Sequence, residues 1–76
     1  MQFQMLPVEE RFSVRLTDET ISGYPAGAFS NQSSYPVYAI RLREHGDNVL
    51  TEFFLPASDA AFYWVDATGT RVARRA

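Results

Sequence analysis

Three stretches of the chain divide their side chains between two faces with the period of two of a strand. In RFSVRLT, residues 11–17, Phe12, Val14 and Leu16 alternate with Ser13, Arg15 and Thr17. That is the pattern of a strand with one face toward a core, and Asp18 and Glu19 close it. In YPVYAIRLRE, residues 35–44, Tyr38, Ile40 and Leu42 share one face, with Val37, Ala39, Arg41 and Arg43 on the other. Pro36 has no N–H for a ladder and belongs near the start of that strand or on an edge. In NVLTEFFLP, residues 48–56, Val49, Thr51, Phe53 and Leu55 lie on one face and Leu50, Glu52 and Phe54 on the other. A strand apolar on both faces is expected to be covered on both sides.

Turn chemistry links these segments. Gly46, Asp47 and Asn48 predict a tight hairpin between the second and third strands. Residues 57–75 predict a second hairpin, with Phe62 and Trp64 alternating against Ala61, Tyr63 and Val65. Its turn would run from Asp66 through Thr68, with Gly69 left-handed in a G1 bulge, and its return strand would span 70–74. A short helix capped by Ser58 or Asp59 is the rival reading of 57–65; the aromatic and β-branched run at 62–65 favours strand. QFQML at the start adds a further edge-strand candidate.

The prediction is one all-β domain over 1–76. It is a small five- or six-stranded antiparallel barrel or strongly bent sheet, with a long loop after the first main strand. Strand, long loop, then meander resembles the order of SH3-like barrels in topology alone, since no SH3 ligand-groove motif is matched.

The stretch 21–36 is the least regular and the most distinctive. It holds Tyr24, Phe29 and Tyr35, two Tyr-Pro pairs counting Pro25 and Pro36, and no charged side chain. Tyr supplies amphipathic contact area, Ser, Asn and Gln supply adaptable hydrogen bonds, and interface cores are depleted of charge. Tyr24, Phe29, Asn31, Gln32 and Tyr35 are therefore the candidate partner-binding residues. The competing role for these rings is to cap an undersized core, with Phe29 inward and Tyr24 and Tyr35 outward as one division of labour.

Composition narrows the chemistry. A chain of 76 residues buries only about 60% of its unfolded surface. The absence of Cys removes disulfides, thiolate nucleophiles and Cys-ligated zinc. His45 is the only His and sits in the predicted turn. Glu44, His45 and Asp47 alone do not make the three or four convergent ligands of a metal site. No nucleophile elbow or phosphate loop occurs, and adjacent carboxylates such as Glu9 and Glu10 point to opposite faces of a strand. The expectation is a non-enzymatic protein with no cofactor and no metal.

Net charge is −2, and all seven basic residues are Arg. Base composition of a GC-rich genome explains that bias, and so does a need for bidentate or stacked contacts. Arg41, Arg43, Arg71, Arg74 and Arg75 would make a single-stranded nucleic-acid surface if strands two and five lay side by side. Nucleic acid is thus the alternative partner, and a protein the leading one. Homodimers or larger assemblies through Leu50 and Phe54 form the third reading. With no basic and apolar leader and no long apolar run, the expected setting is the cytoplasm without a membrane partner. A small inhibitor or modulator encoded by a phage or bacterium fits that description.

Overall fold

The computed structural model describes residues 3–73. Seven strands form two antiparallel sheets. β1 (Phe3–Met5) is followed by a 3-10 turn at Val8–Glu10 and by β2 (Ser13–Leu16). One helical turn, α1 (Asp18–Ile21), precedes β3 (Tyr35–Pro36), β4 (Ala39–His45) and β5 (Asn48–Pro56). β6 (Phe62–Asp66), a second 3-10 turn at Ala67–Gly69 and β7 (Thr70–Ala73) complete the described residues. One sheet has the order β1-β4-β5-β6 and the other β3-β2-β7. The all-β antiparallel class holds; the barrel does not. Among the described residues no ladder joins the two sheets or closes either of them.

The core lies between the sheets. Val14 and Leu16 of β2, Tyr35 of β3, Leu55 of β5 and Val65 of β6 are buried with Val37, Ala28 and Phe29. The alternation in 12–16 therefore does point inward, with Phe12 packed against the cluster.

β5 occupies the segment expected for it, and Gly46 and Asp47 form the two-residue turn between His45 and Asn48. Gly46 has φ +62, a conformation that Gly adopts without steric cost. The residues at 57–65 resolve to strand from Phe62 onward.

Two strand assignments change. The single strand expected across 35–44 is split, because β3 pairs with β2 while β4 pairs with β1 and β5. The chain switches sheets at Val37, whose N–H binds Phe12 O, and Tyr38, whose N–H binds Phe54 O. The hairpin expected between 62–65 and 70–74 does not form: β6 pairs with β5, and β7 crosses to β2.

The cause of that crossing is local. Asp66 Oδ1 accepts from the backbone N–H and the hydroxyl of Thr68, which winds 67–69 into a 3-10 turn rather than a bulge. Thr17 N–H then binds Gly69 O and seats β7 against β2. Gly69 is not left-handed. Its need for Gly is close approach, since a Cβ there would collide with Thr20 Oγ1.

α1 has a Thr17 cap, with Thr17 Oγ1 accepting from Thr20 N–H at 3.2 Å. Acidic Asp18 and Glu19 fill its first turn, where the helix dipole favours them. Among the described residues no helix is long and apolar enough to cross a membrane.

Candidate functional site

The loop expected to meet a partner turns its rings inward. Phe29 is 6% and Tyr35 7% exposed. The Phe29 ring stands edge-on to Tyr24, Tyr35 and Tyr63 at centroid distances of 5.3, 5.0 and 5.8 Å. Tyr35 is thus buried rather than outward, and its hydroxyl accepts from Ser30 N–H at 2.7 Å.

Tyr24 is half-buried and donates its hydroxyl to Trp64 O at 2.7 Å. Trp64 belongs to β6, an edge strand, so this bond caps a backbone carbonyl that an added strand would otherwise use. Burial, followed by the negative charges of Glu52 and Asp66, pushes the Tyr24 hydroxyl pKa up. Asn31 and Gln32 are exposed, and Asn31 Nδ2 donates to Asp18 Oδ1 at 2.7 Å.

A second aromatic cluster lies on the opposite face of the four-stranded sheet. Register and burial define that face. Leu55 and Val65 point into the core, so Phe54, Phe62 and Trp64 point out, as do Arg41, Glu52 and Phe3. The rings form one continuous row. Phe3 meets Trp64 at 6.1 Å, Trp64 meets Phe54 at 4.7 Å, Phe54 stacks on Phe62 at 5.0 Å, and Phe62 meets Tyr38 at 5.3 Å. Ala39, opposite Phe54 and Met5 in register, is fully buried on this face; a small side chain lets the rings lie over the backbone.

Guanidinium groups lie over two rings of the row, one at its Tyr38 end and one at Trp64. Arg11 lies 4.2 Å over the Tyr38 ring, held by its Nε bond to Leu6 O, and Arg41 lies 4.3 Å over Trp64. Each such stack is worth about 0.5–1 kcal/mol where exposed. Arg41 Nε also donates to Glu52 Oε1 at 2.6 Å, and Arg43 Nε lies 3.5 Å from Glu52 Oε2. Glu52 is a buried carboxylate, and these two cations offset its desolvation. Asp66 continues the charged row. Its pKa is lowered by the Thr68 backbone and hydroxyl bonds, and by Arg43.

Despite its rings, this face stays open: Phe3 is 58%, Met5 54% and Phe62 44% exposed. No protein-family model, characterised protein or solved structure matches this chain.

Of the basic residues named for nucleic acid, the three that are described do not share one face. Arg41 and Arg43 share Glu52 on one sheet, Arg71 lies on β7 of the other, and Arg74 and Arg75 lie outside the described residues. Phe54 lies on the open face as the assembly reading needed, while Leu50 is half-buried on the same strand.

Sequence reasoning did not single out Phe3, Phe62 or Trp64 as site residues. The signal was the two-sided apolarity of 48–56, which required cover on a second face. β1 and β6 supply that cover only in part.

A separate cleft of about 560 Å³ is lined by Thr17, Thr20, Tyr24, Asp66 and Thr68 among others. The hydroxyls of Thr17, Thr20, Tyr24 and Thr68 and Asp66 Oδ1 all take part in bonds within the protein.

Proposed function

We propose that the protein is a non-enzymatic protein-interaction module, acting as a modulator of its partner. Its contact surface is the outer face of the four-stranded sheet, on the opposite side of that sheet from the core in which the rings of the 21–36 loop are packed. The observation that carries this reading is the open row of Phe3, Trp64, Phe54, Phe62 and Tyr38, with Arg11 and Arg41 over two of its rings and Met5 beside it. Aromatic residues, Met and Arg are the residues enriched at protein interfaces, and Trp, Tyr and Arg dominate their binding energy.

Charge favours a protein over a single-stranded nucleic acid. A nucleic-acid groove works through cations left free to meet phosphates. Here Arg41 and Arg43 face a buried carboxylate of their own.

The test is capture on immobilised protein, comparing wild type with a Phe3→Ala/Phe62→Ala double variant. Both rings lie outside the core, Phe3 58% and Phe62 44% exposed, so the variant is expected to fold, as checked by a thermal melt, and to lose the wild type's specific partner. Retention of that partner would refute the assignment. An oligonucleotide that binds at low salt and is released at high salt would favour the nucleic-acid reading. Light scattering that gives a dimer mass would identify the partner as a second copy.

A further inference from the structure

The three-stranded sheet sets two like charges against each other. Arg15 of β2 is directly opposite Arg71 of β7, and both are exposed. Neither has an ion-pair partner among the described residues. The other residues that register places on that face are Ser13, Pro36 and Ala73, all uncharged. Like charges directly opposite on a sheet are destabilising, so the pair is a cost that the fold itself does not offset.

The same strand is open at its edge. β7 is the last strand of the order β3-β2-β7. Thr17 N–H binds Gly69 O on one side of β2, while Phe12 O accepts from Val37 N–H on the other. In an antiparallel ladder these contacts alternate. Residues 69, 71 and 73 thus turn their backbone groups toward β2, and Thr70 and Val72 turn theirs to the open edge. Val72 is opposite Val14 in register, yet Val14 is fully buried and Val72 is 71% exposed. The core stops at β2, and the inward side of β7 lacks its cover.

We propose that this edge accepts an extended protein segment by strand addition, one that alternates acidic and apolar residues. A strand laid along β7 presents its side chains to alternate faces. Its acidic residues meet Arg71 and Arg15 on the outer face, and its apolar residues cover Val72 on the inner one. A second copy of this chain does not fit the site, because β7 against β7 crowds four guanidinium groups together. Nucleic acid is disfavoured because register places no aromatic ring on that face to stack a base. This edge belongs to the other sheet from the aromatic row, and the proposal does not depend on that row.

The experiment titrates the protein with a labelled peptide of alternating Glu and Val, and with a Lys/Val control of the same strand propensity. Anisotropy reports affinity, and amide NMR shifts report the location. The Glu/Val peptide is expected to bind, to shift the amides of Thr70 and Val72, and to weaken as salt rises. The Lys/Val peptide is expected not to bind.

Arg71→Glu replaces a like pair with an opposite one, so the fold is retained or stabilised. It is expected to cost the Glu/Val peptide about tenfold in affinity and to admit the Lys/Val peptide. Equal binding of the two peptides by wild type, no binding of either, or undiminished Glu/Val binding by Arg71→Glu overturns the proposal. Binding of an oligo-dT in place of the Glu/Val peptide overturns it too, and assigns the arginine pair to nucleic acid.

Discussion

Phe29→Ala and Phe62→Ala should differ sharply in their cost to stability, although each removes one ring from the same small chain. Phe29 is 6% exposed and touches three tyrosine rings. A buried Phe→Ala change costs about 3–5 kcal/mol, counting both transfer and cavity. A domain of 76 residues has in total about 4–11 kcal/mol of stability. Phe29→Ala therefore removes about a quarter of it at the least, and all of it near the lower bound.

Phe62 is 44% exposed, with contacts to Tyr38 and Phe54 on one side only. Losing roughly half a side chain's burial costs about 1 kcal/mol. Urea unfolding followed by Trp64 fluorescence reads the difference. With a slope of about 1 kcal/mol/M for a chain this small, the Phe29→Ala midpoint falls by about 3 M or more, and that of Phe62→Ala by about 1 M. Equal shifts, or a Phe29→Ala shift under about 0.5 M, would show that the loop does not close the core.

Other perturbations test the joints of the fold. Tyr24→Phe removes the hydroxyl that caps Trp64 O; it should cost about 1 kcal/mol in a thermal melt and raise self-association on light scattering. Gly69→Ala drives a Cβ into Thr20 and should cost about 1–3 kcal/mol, with Thr20→Ala relieving part of that loss in a double-mutant cycle. Asp66 has a pKa below its ordinary 3.8, so its contribution is complete above that value and is lost as pH falls through the lower folded value. Acid titration of stability should thus show a shallower loss below about pH 4 in Asp66→Asn than in wild type.

Much of the sheet was legible in the chain because period-two alternation and Gly-Asp turn chemistry are local signals. The bounds of β5, the inward face of β2 and the turn at Gly46 all rest on them. The misassigned elements depended on contacts distant in sequence. Within 62–70 the Asp66–Thr68 bonds wind the turn, but the pairing of β7 with β2 is settled where Thr17 N–H meets Gly69 O, two residues far apart in sequence. The split between β3 and β4 likewise rests on Phe12 and Phe54 each claiming one of two neighbouring residues.

α1 is a different case. Thr17, Asp18 and Glu19 carry a cap and an acidic first turn, a local helix signal that was read as the end of a strand. In the loop, lack of charge was a sound cue to apolar surroundings, and those surroundings are the protein's own core. The outer row was hidden because Phe3, Tyr38, Phe54, Phe62 and Trp64 come from four separate stretches that only the sheet brings together.

The most direct measurement is a hydroxyl-radical footprint of the protein free and bound to the partner it captures. Phe3, Met5, Phe62 and Trp64 all carry reactive side chains, and the first three are exposed in the free chain. The account predicts that their oxidation falls on binding, while the buried Phe29 and Tyr35 react little in either state. Protection confined to 30–34, with Phe3, Met5 and Phe62 as reactive as before, would contradict it and return the contact to the loop.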